Sequence, residues 1–115
     1  KGAVGVTSSV DDLYTWYRYL MYLYKTGNSL SKIYFPEKDA CYRNGLIRTS
    51  DQGSKAIFHH GGLIPGFASF MLMDFERDIF IVYITDVSVW KSNYNIDEQI
   101  INLIKGNEYS FIIQE

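Results

Sequence analysis

Apolar side chains recur at steps of three and four between residues 9 and 26, which is the period of one helical face. Ser9 suits the N-terminal cap, with Asp12 three residues later, and Gly27 suits the stop. The aromatic residues of this segment cover more than one face: Tyr14, Trp16, Tyr17, Tyr19, Tyr22 and Tyr24. The pattern predicts a helix that is buried on two sides, or one that faces protein outside this segment.

The middle of the chain has the pattern of strands and turns. Residues 28–39 are polar and contain Pro36, which predicts a loop. Four strands are predicted at residues 40–48, 56–60, 67–73 and 79–85. Gly45 weakens the first of them, and a hairpin turn is expected at residues 51–54. The last strand is almost wholly apolar, which predicts a central position with both faces covered.

A second helix is predicted at residues 95–105, with Asn95 as its cap and Gly106 as its stop. Beyond it, residues 109–113 would form a short edge strand or an ordered tail. The whole chain, residues 1–115, is therefore expected to be a single α+β domain. Its antiparallel sheet of about four strands would be flanked by an N-terminal and a C-terminal helix.

The composition of the chain excludes several classes of function but does not indicate a particular one. A chain of 115 residues with 47% hydrophobic residues can bury one core, and its net charge of −2 gives no reason to expect a nucleic-acid partner. No apolar run approaches the roughly 20 residues of a membrane span. Cys41 is the only cysteine, so an intramolecular disulfide is excluded.

The segment from His59 to Phe67 carries the strongest local indication of chemistry. Two histidines precede the pair Gly61 and Gly62, and a Pro-Gly turn follows. Histidine transfers protons near neutral pH, and glycine lets another molecule approach the backbone. These residues alone fit the rim of a binding cleft and a simple turn equally well. A zinc site is not expected, because adjacent strand histidines point apart and zinc needs three or four convergent ligands.

Three stretches together resemble the C-terminal part of the serine β-lactamase-like family. Residues 5–13 resemble its "S-T-x-x-D-L" helix entry. His60, Gly61 and Gly62, with the Pro-Gly-Phe turn, resemble its third motif, K-T-G or H-x-G. Residues 70–86 resemble the strand, "D-P-E-R" turn and strand that follow. The family includes class C β-lactamases, D-alanyl-D-alanine carboxypeptidases, D-aminopeptidases and esterases. The resemblance covers residues 2–105 with gaps.

The resemblance implies acyl transfer through a serine ester, without a cofactor or metal. His60 would orient a substrate carboxylate or assist proton transfer. Gly61 and Gly62 would keep the strand edge open for substrate, and the Leu63 N–H would be the second oxyanion donor. His59 is interpreted as a structural residue on the opposite face. The H-G-G sequence suits peptidase or esterase relatives better than K-T-G β-lactamases. Arg43 and Leu46 depart from the family, which usually has Gly and Trp there.

The nucleophile is expected to be missing from this chain. Ser29 and Lys32 match Ser-x-x-Lys, but they follow a helix stop, and Pro36 limits any helix there to about one turn. Tyr42 and Asn44 match Tyr-x-Asn, but they follow the "S-T-x-x-D-L" helix instead of preceding it. We interpret both as chance matches. The chain alone is therefore expected to be inactive.

The resemblance also implies that the natural protein begins before Lys1 and that this chain is the C-terminal part of a larger domain. The expected partner is that N-terminal part, or a second copy bound through an uncovered sheet. The family suggests the bacterial cell envelope or another extracytoplasmic location. The alternatives are a non-catalytic interaction module that is derived from this fold, and an independent small α+β domain with a hydrolase-like loop by coincidence.

Overall fold

The computed structural model describes residues 6–27, 29–86 and 96–109. Three helices and five strands follow one another along the chain: α1 (Val10–Thr26), α2 (Ser29–Tyr34), β1 (Tyr42–Arg43), β2 (Leu46–Ser50), β3 (Ala56–Ile64), β4 (Phe67–Asp74), β5 (Ile79–Thr85) and α3 (Ile96–Lys105). The strands form one antiparallel sheet in the order β1-β2-β3-β4-β5. The predicted α+β class with a helix at each end is confirmed, although the sheet has five strands instead of four.

Helix α1 begins and ends where the sequence predicts. The Ser9 side chain accepts a hydrogen bond of 3.1 Å from the Asp12 N–H, and Gly27 adopts a left-handed φ of 59° after the last turn. Tyr17, Leu20 and Leu23 are buried against the sheet. Helix α3 starts at Ile96 and buries Ile100. Its expected cap, Asn95, and residues 110–113 of the expected edge strand lie outside the described part of the chain.

Two predictions between α1 and β3 are wrong. Residues 29–34 are expected to be a loop, but they form the short helix α2. The segment before Pro36 is long enough for one helical turn, and the β1–β2 hairpin packs onto that turn. Arg43 and Asn44 fix that packing by donating side-chain hydrogen bonds of 2.6 Å to the carbonyls of Lys32 and Ile33, respectively. The single strand expected at residues 40–48 is two strands. Asn44 and Gly45 both have positive φ and make a tight hairpin turn between them.

The second strand was expected to end at His60, but β3 continues to Ile64. Gly61 and Gly62 pair with Phe70 and Ser69 of β4, so the glycine pair continues the ladder instead of ending it. The reversal comes at Pro65 and Gly66, where the φ of 86° at Gly66 fits a type II turn with proline before glycine.

Each face of the sheet carries a separate apolar core. Helix α1 packs over one face, with Tyr17 stacked between Phe75 and Phe80, and we call this the α1 face. Helix α3 packs over the other, the α3 face, where Ile57, Leu72 and Ile100 are buried together. The prediction of a central β5 is wrong: β5 is last in the strand order of the described sheet. Its apolar run reflects contact with both cores, since Phe80 joins the first and Ile81 the second.

Candidate active site

Strand β3 extends past the strand on one of its sides. Its pairing with β2 covers residues 56–59, whereas its pairing with β4 covers residues 58–64. Between His60 and Ile64, the side of β3 away from β4 therefore has no paired strand in the described structure. We call this segment the open edge. It contains every residue that the sequence assigned to the site.

The hydrogen-bond pattern shows which backbone groups point out of the open edge. Arg48 donates its N–H to the Cys41 carbonyl and accepts from the Ala40 N–H, so its backbone polar groups face β1. Because backbone polar groups alternate sides along an antiparallel strand, those of Ile47 face β3 and bond to His59, its partner in the register. Continuing the alternation along β3, the N–H and C=O groups of Gly61 and Leu63 point into the open edge.

The N–H of Leu63 therefore has the orientation that an oxyanion donor requires, because it points outward and no described strand pairs on that side. The Leu63 side chain is 52% exposed, so a ligand can approach it. The groups of His60 and Gly62 point the other way and belong to the ladder with β4. An incoming extended chain would meet the backbones of Gly61 and Leu63.

His60 and His59 lie on opposite faces of the sheet. His60 pairs with Met71, which packs against the core of the α1 face, and its ring centroid lies 5.8 Å from that of Tyr42. The His59 ring lies 6.0 Å from that of Phe70, in the core of the α3 face. Burial lowers the pKa of His59, the neighbouring His60 lowers it further, and Asp97 opposes the shift. His59 is thereby kept neutral inside the α3 face.

Gly61 makes room for an acidic residue of α3. A Cβ at Gly61 would lie 3.2 Å from Asp97 Oδ2. The other oxygen of that carboxylate accepts a hydrogen bond of 2.6 Å from the Tyr83 hydroxyl. Burial, followed by the hydrogen bond and charge of Asp97, raises the pKa of Tyr83 above its usual value. The first turn of α3 is thus fixed against the middle residue of the H-G-G segment.

Gly62 makes room for a hydroxyl on the opposite face. A Cβ at Gly62 would lie 2.8 Å from Ser69 Oγ, which is closer than real Cβ contacts allow. The Ser69 hydroxyl therefore fills the space where a side chain at Gly62 would lie. Ser69 is the cross-strand partner of Gly62, so it shares the α1 face with His60.

The structure places the two motif matches differently with respect to the open edge. Ser29 and Lys32 lie on α2 and are both exposed. Tyr42 does approach the site, through its contact with His60. Asn44 lies in the hairpin turn, with its amide bonded to α2.

Sequence reasoning missed Ser69, Asp97 and Tyr83. The register of a two-residue Pro-Gly turn places Ser69 opposite Gly62, so counting back from the turn was a usable signal. Asp97 and Tyr83 gave no such signal, because only tertiary packing brings α3 to β3. In the described residues, no group of three or more His, Cys, Asp or Glu side chains could hold a metal ion. No described helix is long and apolar enough to cross a membrane.

Comparison with known proteins agrees with the motif order. The family model described as Beta-lactamase matches residues 1–104. No curated protein and no solved structure gave a match. The matched region includes α1, all five described strands and nearly all of α3. The chain therefore belongs to the Beta-lactamase family.

Proposed function

We propose that the open edge of β3 is one half of an acyl-transfer site of a serine hydrolase. Substrates of this class are D-amino acid peptides, β-lactams or esters. The observation that carries the proposal is the outward direction of the Gly61 and Leu63 backbone groups, at an edge where none of the described strands is paired. There, the Leu63 N–H would bind the carbonyl oxygen as it gains negative charge.

His60 would act beside this donor. It is half-buried and held against Tyr42, so its ring position is restricted without being closed off. A histidine in this position can orient the acyl group or carry a proton. The glycine pair would leave the backbone accessible to the substrate. A carboxylate oxygen of Asp97 lies next to Gly61, and the hydroxyl oxygen of Ser69 lies next to Gly62.

We further propose that the chain does not supply the nucleophile and is inactive alone. A serine nucleophile needs a base held within hydrogen-bond reach. Ser29 and Lys32 are both exposed on a helix of only six residues. Such a helix does not bury the two side chains or hold them at a fixed distance from each other. In this proposal, residues 1–115 form the C-terminal part of a larger hydrolase domain, whose N-terminal part brings the Ser-x-x-Lys helix to the open edge.

The outer side of β5 favours the second candidate function, an interaction module. Following the same alternation through β4, the backbone groups of Phe80, Val82 and Ile84 point away from the sheet. Strand β5 has no charged residue and no proline, which are the usual protection of a strand edge. A strand from the N-terminal part of the domain, or β5 of a second copy, would satisfy these groups.

An NMR titration tests the acyl-binding proposal. The neutral probe N-acetyl-D-alanine methylamide is added to the ¹⁵N-labelled chain, and the amide signals of Gly61 and Leu63 are followed. We expect both to shift. Leu63→Pro removes the outward N–H together with the leucine side chain, and it should abolish the response at Gly61 without unfolding the sheet, because proline is tolerated on open strand edges. Val82→Pro removes an outward N–H from β5 and is the matched control.

Binding that survives in Leu63→Pro, or shifts confined to other regions, would contradict the proposal. Loss of binding in both proline variants would show that the sheet itself had been disturbed. In that case, the folded state of each variant is checked by its amide dispersion before binding is compared.

A further inference from the structure

The Asp97 carboxylate has one oxygen that the fold uses and one that it does not. Oδ1 accepts the 2.6 Å hydrogen bond from the Tyr83 hydroxyl. Oδ2 accepts no hydrogen bond from the described residues, and it lies 3.2 Å from the position that a Cβ of Gly61 would take. The side chain is only half-buried. Because an ionised carboxylate has about four acceptor sites, Asp97 keeps the capacity to bind a donor next to Gly61.

A ligand that pairs along the open edge would place one of its groups beside this oxygen. The backbone N–H and C=O of Gly61 point into the open edge. Gly61 pairs with Phe70, whose side chain lies in the core of the α3 face, so the Cβ position of Gly61 is on that face too. Directly opposite residues share a face, with Cβ atoms about 4.5–5.5 Å apart. A ligand group opposite Gly61 therefore points to the same side of the sheet as Asp97.

Leu63 connects the oxyanion donor with this carboxylate. Its side chain is on the same face as the Cβ position of Gly61, because side chains alternate along β3, and the two Cα atoms are about 6.6 Å apart. The Leu63 side chain is 52% exposed. Long cationic groups pack their aliphatic stems on apolar surface while the charged end reaches a polar partner. An aliphatic stem over Leu63 would therefore join a carbonyl at the Leu63 N–H to a charged group at Asp97.

The described charges near Gly61 on the α3 face favour a cation. Residues 56–76 and β5 contain no Lys or Arg. Burial lowers the pKa of His59, which shares this face, so it is neutral at pH 7.5. Lys105 is in the last turn of α3, about 12 Å along the helix axis from Asp97. The N-terminus of α3 contributes about half a positive charge, which is less than the charge of the two carboxylates in its first turn, Asp97 and Glu98.

We propose that Asp97 binds a primary ammonium group of the substrate, so that the site prefers acyl compounds with an amine about 7 Å from the carbonyl. The inference rests on the proposed function and narrows its substrate class to amides or esters that carry an amine. The two groups have separate roles. The Leu63 N–H binds the carbonyl oxygen as it gains negative charge, and the Asp97 carboxylate binds the positive charge. Asp97 determines specificity and takes no part in making or breaking bonds.

Three probes with the same number of carbon atoms and different end groups test this preference. They are 6-aminohexanamide, hexanamide and adipic acid monoamide, which are cationic, neutral and anionic at pH 7.5. Each is titrated into the ¹⁵N-labelled chain, and the amide signals of Gly61, Leu63 and Asp97 are followed. We expect the cation to bind with a Kd about threefold or more below that of hexanamide, and the anion to bind more weakly than hexanamide. In 1 M NaCl, where the Debye length is about 3 Å, most of this difference should disappear.

Asp97→Asn removes the charge and keeps an acceptor for the Tyr83 hydroxyl, so it should make 6-aminohexanamide and hexanamide bind equally. Asp11→Asn makes the same change in the first turn of α1 and is the matched control, which should leave the preference intact. Loss of the preference in both variants would overturn the inference, because the effect would then come from net charge alone.

Equal binding of the cation and hexanamide to the unsubstituted chain, with both probes shifting Gly61 and Leu63, would also overturn the inference and leave the proposed function standing. If no probe shifts Leu63 in the folded chain, the inference falls. The titration with N-acetyl-D-alanine methylamide then decides the proposed function separately.

Discussion

The Tyr83 hydroxyl donates a hydrogen bond of 2.6 Å to Oδ1 of Asp97, joining the edge strand β5 to the first turn of α3. The second oxygen of the same carboxylate lies against Gly61. One side chain thus connects the helix, the last strand and the strand that carries the site. The contact with Asp97 helps to fix the position of β3. The outward orientation of the Gly61 and Leu63 backbone N–H and C=O groups depends on that position.

Removing that hydrogen bond should destabilise the fold. Tyr83→Phe leaves the ring in place and deletes the donor, so we expect the free energy of unfolding to fall by about 1.5–3 kcal/mol, as for hydrogen bonds to charged groups. Urea denaturation measures the change. Tyr22→Phe is the control, since Tyr22 is 60% exposed, and it should change stability by less than about 0.5 kcal/mol. Equal effects of the two substitutions would contradict the role given to Tyr83.

Gly61 and Asp97 should be energetically coupled. Gly61→Ala brings a Cβ to 3.2 Å from an oxygen that Tyr83 holds in place, so we expect it to destabilise the chain. In the Asp97→Ala background the space is open, and alanine should then be neutral or stabilising, since it reduces the entropy of the unfolded chain. A double-mutant cycle should give a coupling energy above about 0.5 kcal/mol. Additive effects would show that Asp97 does not restrict Gly61.

Asp74 and Arg77 should contribute far more to stability than the exposed ion pairs. The Asp74 carboxylate is fully buried and accepts hydrogen bonds from the Glu76 and Arg77 N–H groups and from the Arg77 side chain. Arg77→Met removes the side-chain donor from that buried carboxylate, together with a 3.3 Å ion pair to Asp51, and it should cost about 3–5 kcal/mol. Arg18→Met breaks an exposed 3.7 Å pair with Asp78 and a 3.7 Å contact with Met21 Sδ, and it should cost less than about 1 kcal/mol. Thermal and urea unfolding compare the two, and a similar cost would contradict the assignment.

Stability should fall as the pH drops from 6.5 to 5.5 because of His59. Its pKa is lowered in the folded chain from the usual 6.5, so the unfolded chain takes up a proton that the folded chain resists. The stabilisation is therefore complete above pH 6.5 and is lost as the pH falls toward the folded pKa. The groups that act on His59 are His60 and Lys105, which lower its pKa, and Asp97, which raises it.

Urea titrations at several pH values in this range measure that slope. His59→Gln should reduce it, whereas His60→Gln should retain most of it. A slope that is unchanged in His59→Gln would contradict the assignment of the pH dependence to the half-buried His59.

The sequence was most informative where local chemistry decides the backbone. Ser9 and Gly27 bound α1 correctly, because capping depends on a few adjacent groups. The apolar run at residues 79–85 matches β5. The position of β5 at the end of the sheet could not be predicted. Helices cover both faces of the sheet, so a strand at the end has the same apolar sequence as a central strand.

Glycine caused the two errors nearest the site, in opposite directions. The sequence pattern predicts Gly45 to be a weak point inside a strand, but with Asn44 it makes a turn. The sequence pattern predicts a strand end at Gly61 and Gly62, but they continue β3, and neighbouring side chains fill the space that they leave. Glycine alone does not show whether a strand ends or continues at that position. At Gly61 and Gly62 the strand continues beside Asp97 of α3 and Ser69 of β4, and tertiary packing brings both residues there.

Covalent labelling tests most directly the central claim that this chain carries the oxyanion side of an acyl-transfer site without its nucleophile. The folded chain is incubated with a fluorescent penicillin and, separately, with a fluorophosphonate, and the intact mass is recorded. We predict the unmodified mass in both cases. A stoichiometric adduct that maps to Ser29, or to any other serine of the chain, would contradict the claim and show a complete acyl enzyme within these 115 residues.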